Sequence, residues 1–303
     1  MSLHPTTPDV VDEVATGPQN HRAAPENLES AGSVAPASPD TKKKRLGGVL
    51  GTIGLRLLIP AIIVAIWWVL SAQETIGLFV ASPVDAVVTF YETFVVGDAV
   101  VAHLLPSLQR ALIGLFLAIV LGITIGVLLG TSAVLRGLFQ PLVHLGRSLP
   151  SPALLGVFFF LFGTGDTPKI FLIAFSVIWP ILLNTIDGVA AVGTTRAQAA
   201  RVFRIPAHRV LTHIILPGAA PKIFAGIRTS MSFSLILMII SELQKSENGL
   251  GYLLIQSQRN FNYSTFFAVL IMLVIIGVVF NLIFLAVERR VLAWHRGATQ
   301  QHD

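Results

Sequence analysis

Residues 111–130 run from Ala111 to Gly130 without one charged side chain. A helix of about 20 apolar residues matches the hydrocarbon thickness of a bilayer. Inside that layer each backbone N–H and C=O must find its partner within the segment, so the run is read as a helix crossing a membrane. Comparable runs occupy Val49 to Ser71, Leu108 to Gly130, Ile170 to Ile186, Ile223 to Leu243 and Phe266 to Val287. Another segment, Leu138 to Phe162, is interrupted by Pro141, Arg147, Pro150 and Pro152. It is expected to be a kinked third span whose first part lies near the inner surface. Only 12% of the 303 residues are charged and 53% are hydrophobic, against about 25% charged in soluble proteins. The fold class is therefore all-α and integral to the membrane, with six transmembrane helices.

Charge along the loops gives an orientation. Lys42, Lys43, Lys44 and Arg45 stand directly before the first run. Arg56, Arg136, Arg147, Arg196, Arg201, Arg204, Arg209, Lys222, Arg228, Arg289, Arg290 and Arg296 fall on the same side. Only Arg110, Lys169, Lys245 and Arg259 fall on the other. Basic residues collect on the cytoplasmic side, so both termini are expected there. Residues 1–45 read as a disordered cytoplasmic tail ending in the basic cluster, because they are acidic and poor in large apolar side chains. Residues 46–290 form the transmembrane domain and 291–303 a short cytoplasmic tail. The first apolar run starts only near Val49, so no cleavable signal peptide is expected. In the loop from Ala72 to Pro106, Ser82-Pro83 precede Val84, Val87, Val88, Tyr91 and Phe94, one stripe of a short helix expected on the outer surface facing lipid.

The same sequence excludes much chemistry. It has no cysteine, hence no disulfide and no thiolate metal site. Its histidines lack ligand spacing, and no phosphate loop, nucleophile elbow or dinucleotide fingerprint is present. No catalytic residue, no metal and no cofactor is expected, and the net charge of +5 lies in loops beside apolar runs and forms no nucleic-acid surface.

The segment 188–222 is too long for a connector and contains no acid. Thr194 or Thr195 could cap a helix starting at Arg196, carrying Ala197, Ala199, Ala200, Phe203 and Arg204. Ile205-Pro206 should break it, with Pro206 the first residue of a second helix. Leu216-Pro217, Pro221 and Gly226 should then turn the chain into the fifth span. The product is a basic helical hairpin in the cytosol. Small alanines would allow close approach of another protein, and the arginines would meet an acidic rim.

Gln198-Ala199-Ala200, Arg204, Ile214 and Leu216-Pro217 keep the spacing of the loop Glu-Ala-Ala, three residues, Gly, nine residues, Ile, one residue, Leu-Pro. That loop marks ABC-importer permeases, which the chain resembles. Two residue types differ: Gln198 stands for Glu and Arg204 for Gly. With glycine gone, Pro206 is expected to supply the break in place of a left-handed residue. Pro106-Ser107-Leu108-Gln109-Arg110 with Gly114, Leu149-Pro150, Phe162-Gly163, Asn184-Thr185, and Glu242 with Gly249-Leu250-Gly251-Tyr252 resemble the nitrate, sulfonate, taurine and bicarbonate subfamily.

The resemblance implies a type I importer bundle in the bacterial inner membrane, coupled to separate cytoplasmic ATPase subunits through Gln198, Ala199, Ala200, Phe203, Arg204, Pro206, Leu216 and Pro217. It implies a second permease, expected to be another copy of this chain, and an extracytoplasmic substrate-binding protein. The implied substrate is a small anion such as an aliphatic sulfonate, taurine, nitrate or bicarbonate. Glu242, Arg110 and Asn184 are candidates for the pathway or a gate, Arg110 as an anion attractor at the outer mouth. Gly122, Gly126 and Gly130 recur every four residues and suit close helix packing. The alternative reading is an ion-coupled secondary transporter, which calls for charges at mid-span and internal repeats.

Overall fold

The structure, a computed structural model, describes residues 58–73 and 79–293, apart from the side chains of 193–199 and 201. The expected tail 1–45 with Lys42 to Arg45, the start of the first span at Val49, the side chains of Gln198 and Ala199, and the segment after 293 lie outside the described residues. Among the described residues every regular element is helical. In chain order these are α1 (Leu58–Ser71), α2 (Pro83–Phe90), α3 (Val100–Thr131), α4 (Ala133–Ser148) and α5 (Ser151–Phe162). They continue as α6 (Thr167–Val202), α7 (Ala207–Glu242), α8 (Leu250–Arg259) and α9 (Tyr263–Val291). Of these, α3, α6, α7 and α9 are long and apolar enough to cross a membrane unaided.

Prolines decide where the chain bends, though not at every proline. The expected third span is two helices, α4 and α5, meeting at 87°. The break sits at Leu149 and Pro150, both extended, because a residue before proline avoids the helical region. Pro141 lies inside α4 with no break. Pro217 and Pro221 likewise lie within α7, so the expected turn at Leu216 to Gly226 is not there. A wide π-helical turn at Leu211–Ile215 immediately precedes Leu216-Pro217, and the Leu216 N–H reaches back to the Leu211 carbonyl. The same device, Val100–Leu104, precedes Leu105-Pro106 in α3. The extra residue per turn accommodates the missing donor and the ring's clash with the preceding turn.

The helix expected to start at Arg196 also differs. No new helix begins there, because α6 runs unbroken from Thr167 to Val202. Adding residues to an existing helix is far cheaper than nucleating another, and Ala190-Ala191-Val192 offers no break. Thr194 and Thr195 therefore lie within α6 rather than at the start of a helix.

Helix α2 is capped by Ser82, whose side chain accepts from the Asp85 N–H at 3.1 Å, and it widens into a π-helical turn at Tyr91–Val96. Val84, Val87, Val88 and Tyr91 are exposed as one face. Phe94, expected on that face, instead enters a core with Val269, Met272 and Ile276 of α9. The wide turn rotates it out of the 3.6-residue register. Trp67 ties α1 to the same helix, stacking on Phe267 at 5.3 Å, while its indole N–H donates to the Ala81 carbonyl at 3.0 Å.

The central packing joins α3, α6 and α7. Ala111, Leu115 and Ala118 of α3 meet Ile173, Val177 and Ile181 of α6 and Leu237 and Met238 of α7. Along α3 the glycine stripe faces α6: a Cβ at Gly126 would lie 2.6 Å from Thr185 Cβ, and one at Gly130 2.7 Å from Val189 Cβ. At Gly122 it would lie 3.0 Å from Ile181 Cγ2. Such distances bring two backbones close enough for dispersion contacts along their length. The Ser230 hydroxyl of α7 adds a buried bond to the Val177 carbonyl at 2.6 Å.

Candidate functional site

Two constellations stand at opposite ends of this three-helix core. The first is the turn from α6 to α7. At Arg204 the backbone takes a left-handed conformation, φ 53°, and the Ile205 N–H donates to the Ala200 carbonyl at 3.0 Å. This bond spans six residues and marks a Schellman ending with Arg204 in the position usually held by glycine. Arg204 itself therefore makes the left-handed break that Pro206 was expected to replace. Pro206 is extended and precedes the first residue of α7, Ala207, rather than being that residue. The chain has already left α6 at Arg204, and the Schellman bond fixes how it leaves.

The turn separates its residues sharply. Ala200 is 3% exposed, whereas Phe203 is 77% exposed. Ala200 is thus a packing residue within the chain, and the apolar projection at the turn comes from Val202 and Phe203, followed by Arg204. Leu216 and Pro217 are half-buried, in the helix behind the wide turn.

The second constellation lies where α3 and α6 begin and α7 ends. Arg110 is 2% exposed and Glu242 is fully buried. The guanidinium has five N–H groups; four donate hydrogen bonds, and Nη2 also stands in ion-pair contact with Asp166. Nη1 donates to Glu242 Oε1 at 2.5 Å and to the Asn248 carbonyl at 3.2 Å. Nε donates to Asp166 Oδ1 at 2.8 Å; Nη2 serves Asp166 at 2.7 Å and the Asn248 side-chain carbonyl. Glu242 also accepts from the Ser107 hydroxyl at 2.8 Å and from the Gly251 N–H at 3.0 Å. Ser107 in turn accepts from the Leu250 N–H at 2.8 Å. The carboxylate thereby caps the N-terminus of α8, where unpaired N–H groups and the helix dipole favour negative charge. Buried ions are stable only when paired and hydrogen-bonded to this extent.

Gly249 makes that geometry possible. It sits at φ 112°, a conformation open to residues without a Cβ, and a Cβ there would run into the Glu242 carboxyl group. Its N–H donates to His103 Nδ1 at 3.2 Å, and the His103 ring stacks on Tyr252 at 6.0 Å. Lys169 is buried beside the cluster, within electrostatic reach of Asp166, Glu242 and Glu247.

The structure thus brings Arg110 and Glu242 together and leaves Asn184 elsewhere. Asn184 bonds back to the Pro180 carbonyl at 2.8 Å, under Gly226 of α7. Sequence reasoning missed Ser107, Asp166 and Asn248 as partners. Ser107 had a signal, three residues before Arg110 and hence on its helical face; Asp166 and Asn248 sit in turns whose approach no local pattern encodes.

Comparison with known proteins gives the chain its relatives. The family described as binding-protein-dependent transport system inner membrane component matches residues 118–293. A Bacillus subtilis (strain 168) protein named for aliphatic sulfonates transport as a permease is 31% identical over 88% of this chain and 96% of its own length. The taurine transport system permease protein of Escherichia coli K12 is 30% identical over 78% and 87%. The nitrate import permease protein of Synechococcus elongatus is 29% identical over 63% and 71%. A chain of the inward-facing methionine ABC transporter MetNI superposes with a TM-score of 0.56 at 19% identity, over 62% of this chain and 94% of that one, which is a likeness of fold.

Proposed function

This chain belongs to the binding-protein-dependent transport system inner membrane component family, and we propose that it drives import by relaying ATPase closure through the Val202 to Pro206 turn. It is an ABC-importer permease of the bacterial inner membrane, a multi-pass protein that works with an ATPase and a substrate-binding protein. The ion-coupled alternative has no comparable support. The finer reading is that residues 188–222 meet the ATPase, that two copies of the chain form the pathway, and that the substrate bears a small oxyanion group. Sulfonates, taurine and nitrate, named for three relatives, share that group. Both termini and the turn face the cytoplasm in this reading, following the basic residues.

One observation carries it: an exposed phenylalanine at the end of a helix that continues unbroken into the core. Helix α6 has 36 residues, about 54 Å at 1.5 Å per residue. Asp166 and Lys169 at one end belong to the ion cluster; Phe203 and Arg204 stand at the other. A push at the turn would tilt α6 as a rod against α3, and the Asp166–Arg110–Glu242 ties would carry the tilt to the far end. Arg110 serves here as a tie between helices, since it is buried and already paired with Glu242 and Asp166.

The test is co-purification in detergent. Phe203→Asp should lower ATPase affinity by about tenfold or more, the scale of an aromatic anchor lost from an interface, while the permease keeps its thermal stability. Undiminished ATPase binding would remove the turn from the contact.

A further inference from the structure

Beyond the α7 terminus lies a cavity of about 420 Å³ lined by Lys245, Ser246, Tyr252, Gln256, Arg259 and Asn260, among others. We propose that it is a small-oxyanion site, in which Lys245, Arg259 and the Ser246 hydroxyl receive an organic sulfonate at the outer end of the pathway. The inference rests on the substrate class proposed above and names where this chain would first hold it.

The charge balance favours an anion. Glu242 contributes the cavity's carboxylate, yet its oxygens already accept from Ser107, Arg110 and Gly251, and Arg110 with the buried Lys169 offsets the charges of Glu242 and Asp166. The field of the cavity is therefore set by Lys245 and Arg259, and neither forms an ion pair among the described residues. Lys245 holds a left-handed conformation, φ 47°, rare for a side chain of its kind and concentrated at functional positions. Its ammonium stands 5.7 Å from the centre of the Phe159 ring.

The second observation is a donor without an acceptor. Ser246 is among the residues that line the cavity, and its Oγ, closed off from solvent, has no hydrogen-bond partner among the described residues. Buried hydroxyls are ordinarily bonded, and a change of χ1 rotamer would turn this one toward an oxyanion in the cavity. Tyr252, Gln256 and Asn260 supply neutral donors on the α8 side, while Leu243 and Ile255 offer apolar wall for a short alkyl tail. The volume falls in the usual range for small-molecule sites, about 300–1,000 Å³.

The test uses the full chain in phosphatidylcholine nanodiscs, with ethanesulfonate as the probe and saturation-transfer NMR as the readout. Wild type should bind saturably, and Ser246→Ala and Arg259→Gln should each weaken binding about tenfold, as for a charge-assisted hydrogen bond. Ser246→Ala should leave the melting temperature unchanged or raised, because it removes an unbonded buried group. Equal binding in both variants and wild type would overturn the site. Phosphatidylglycerol retained by wild type but lost from Arg259→Gln, with no ethanesulfonate bound by either, would overturn the sulfonate source and assign the pocket to a lipid headgroup. Calorimetry of the cognate binding protein with ethanesulfonate separates the two readings. Heat there, with unaffected pocket variants, sinks the pocket alone; no heat there sinks the substrate class.

Discussion

Replacing Arg204 by glycine should stabilise the permease while weakening its partner contact. Arg204 holds φ 53°, and the left-handed region costs an L-residue roughly 1–2 kcal/mol that glycine does not incur. The Schellman bond from Ile205 to Ala200 involves backbone only, so it survives the change. Against this, glycine gains freedom in the unfolded chain, which offsets several tenths of a kcal/mol. The net expectation for Arg204→Gly is about 1 kcal/mol of added stability, near 2 °C in melting temperature for a chain of this size. Arg204→Val should lose at least about 1 kcal/mol, since β-branched residues tolerate this region least. Thermal unfolding of the detergent-solubilised chain reads both. The same Arg204→Gly protein should hold the ATPase less tightly, because the cation is gone. If Arg204→Gly and Arg204→Val destabilise alike, the left-handed turn does not govern the ending of α6 and the reasoning fails.

Glu242→Gln removes the fully buried one of the two carboxylates that pair with Arg110, and unfolding should become easier by about 3 kcal/mol. Arg110→Met combined with Glu242→Met should recover more than half of that loss, which a thermal double-mutant cycle would show. Gly249→Ala should cost at least about 2 kcal/mol, from its positive φ and the collision with Glu242, measured by the same unfolding curves. Gly126→Ala should lose about 1–3 kcal/mol by crowding Thr185, whereas Gly137→Ala, with open space around the added carbon, should gain about 0.5–1 kcal/mol from helix propensity.

The bundle was legible because hydrocarbon leaves so few solutions: apolar runs at residues 111–130, 170–186 and 266–287 could hardly be anything but helices. Pro150 was legible as a break because the residue before it must leave the helical region. Pro217 looked equally decisive and was not, since a wide turn five residues long absorbs it. The start expected at Arg196 failed for a cooperative reason: two threonines offer a local cap, but a helix already propagating from Thr167 does not stop for one. Arg204 reads as a poor left-handed residue by propensity, and the capping bond from Ile205 to Ala200 overrode that. The ion cluster was the least legible part. Arg110 and Glu242 are 132 residues apart in sequence, and only the packing of α3 against α6 and α7 brings them into bonding distance. The glycine stripe hinted at that packing, but it could not name what stood at its end.

The central claim is that the Val202 to Pro206 turn touches the ATPase. The chain contains no cysteine, so Phe203→Cys and Lys245→Cys each introduce a single thiol, at opposite ends of the bundle. With a short thiol-to-amine cross-linker in membranes holding the assembled transporter, Phe203→Cys should join the permease to its ATPase and Lys245→Cys should not. Cross-linking of the ATPase through residue 245, or none through residue 203 while the complex remains intact, would contradict the account.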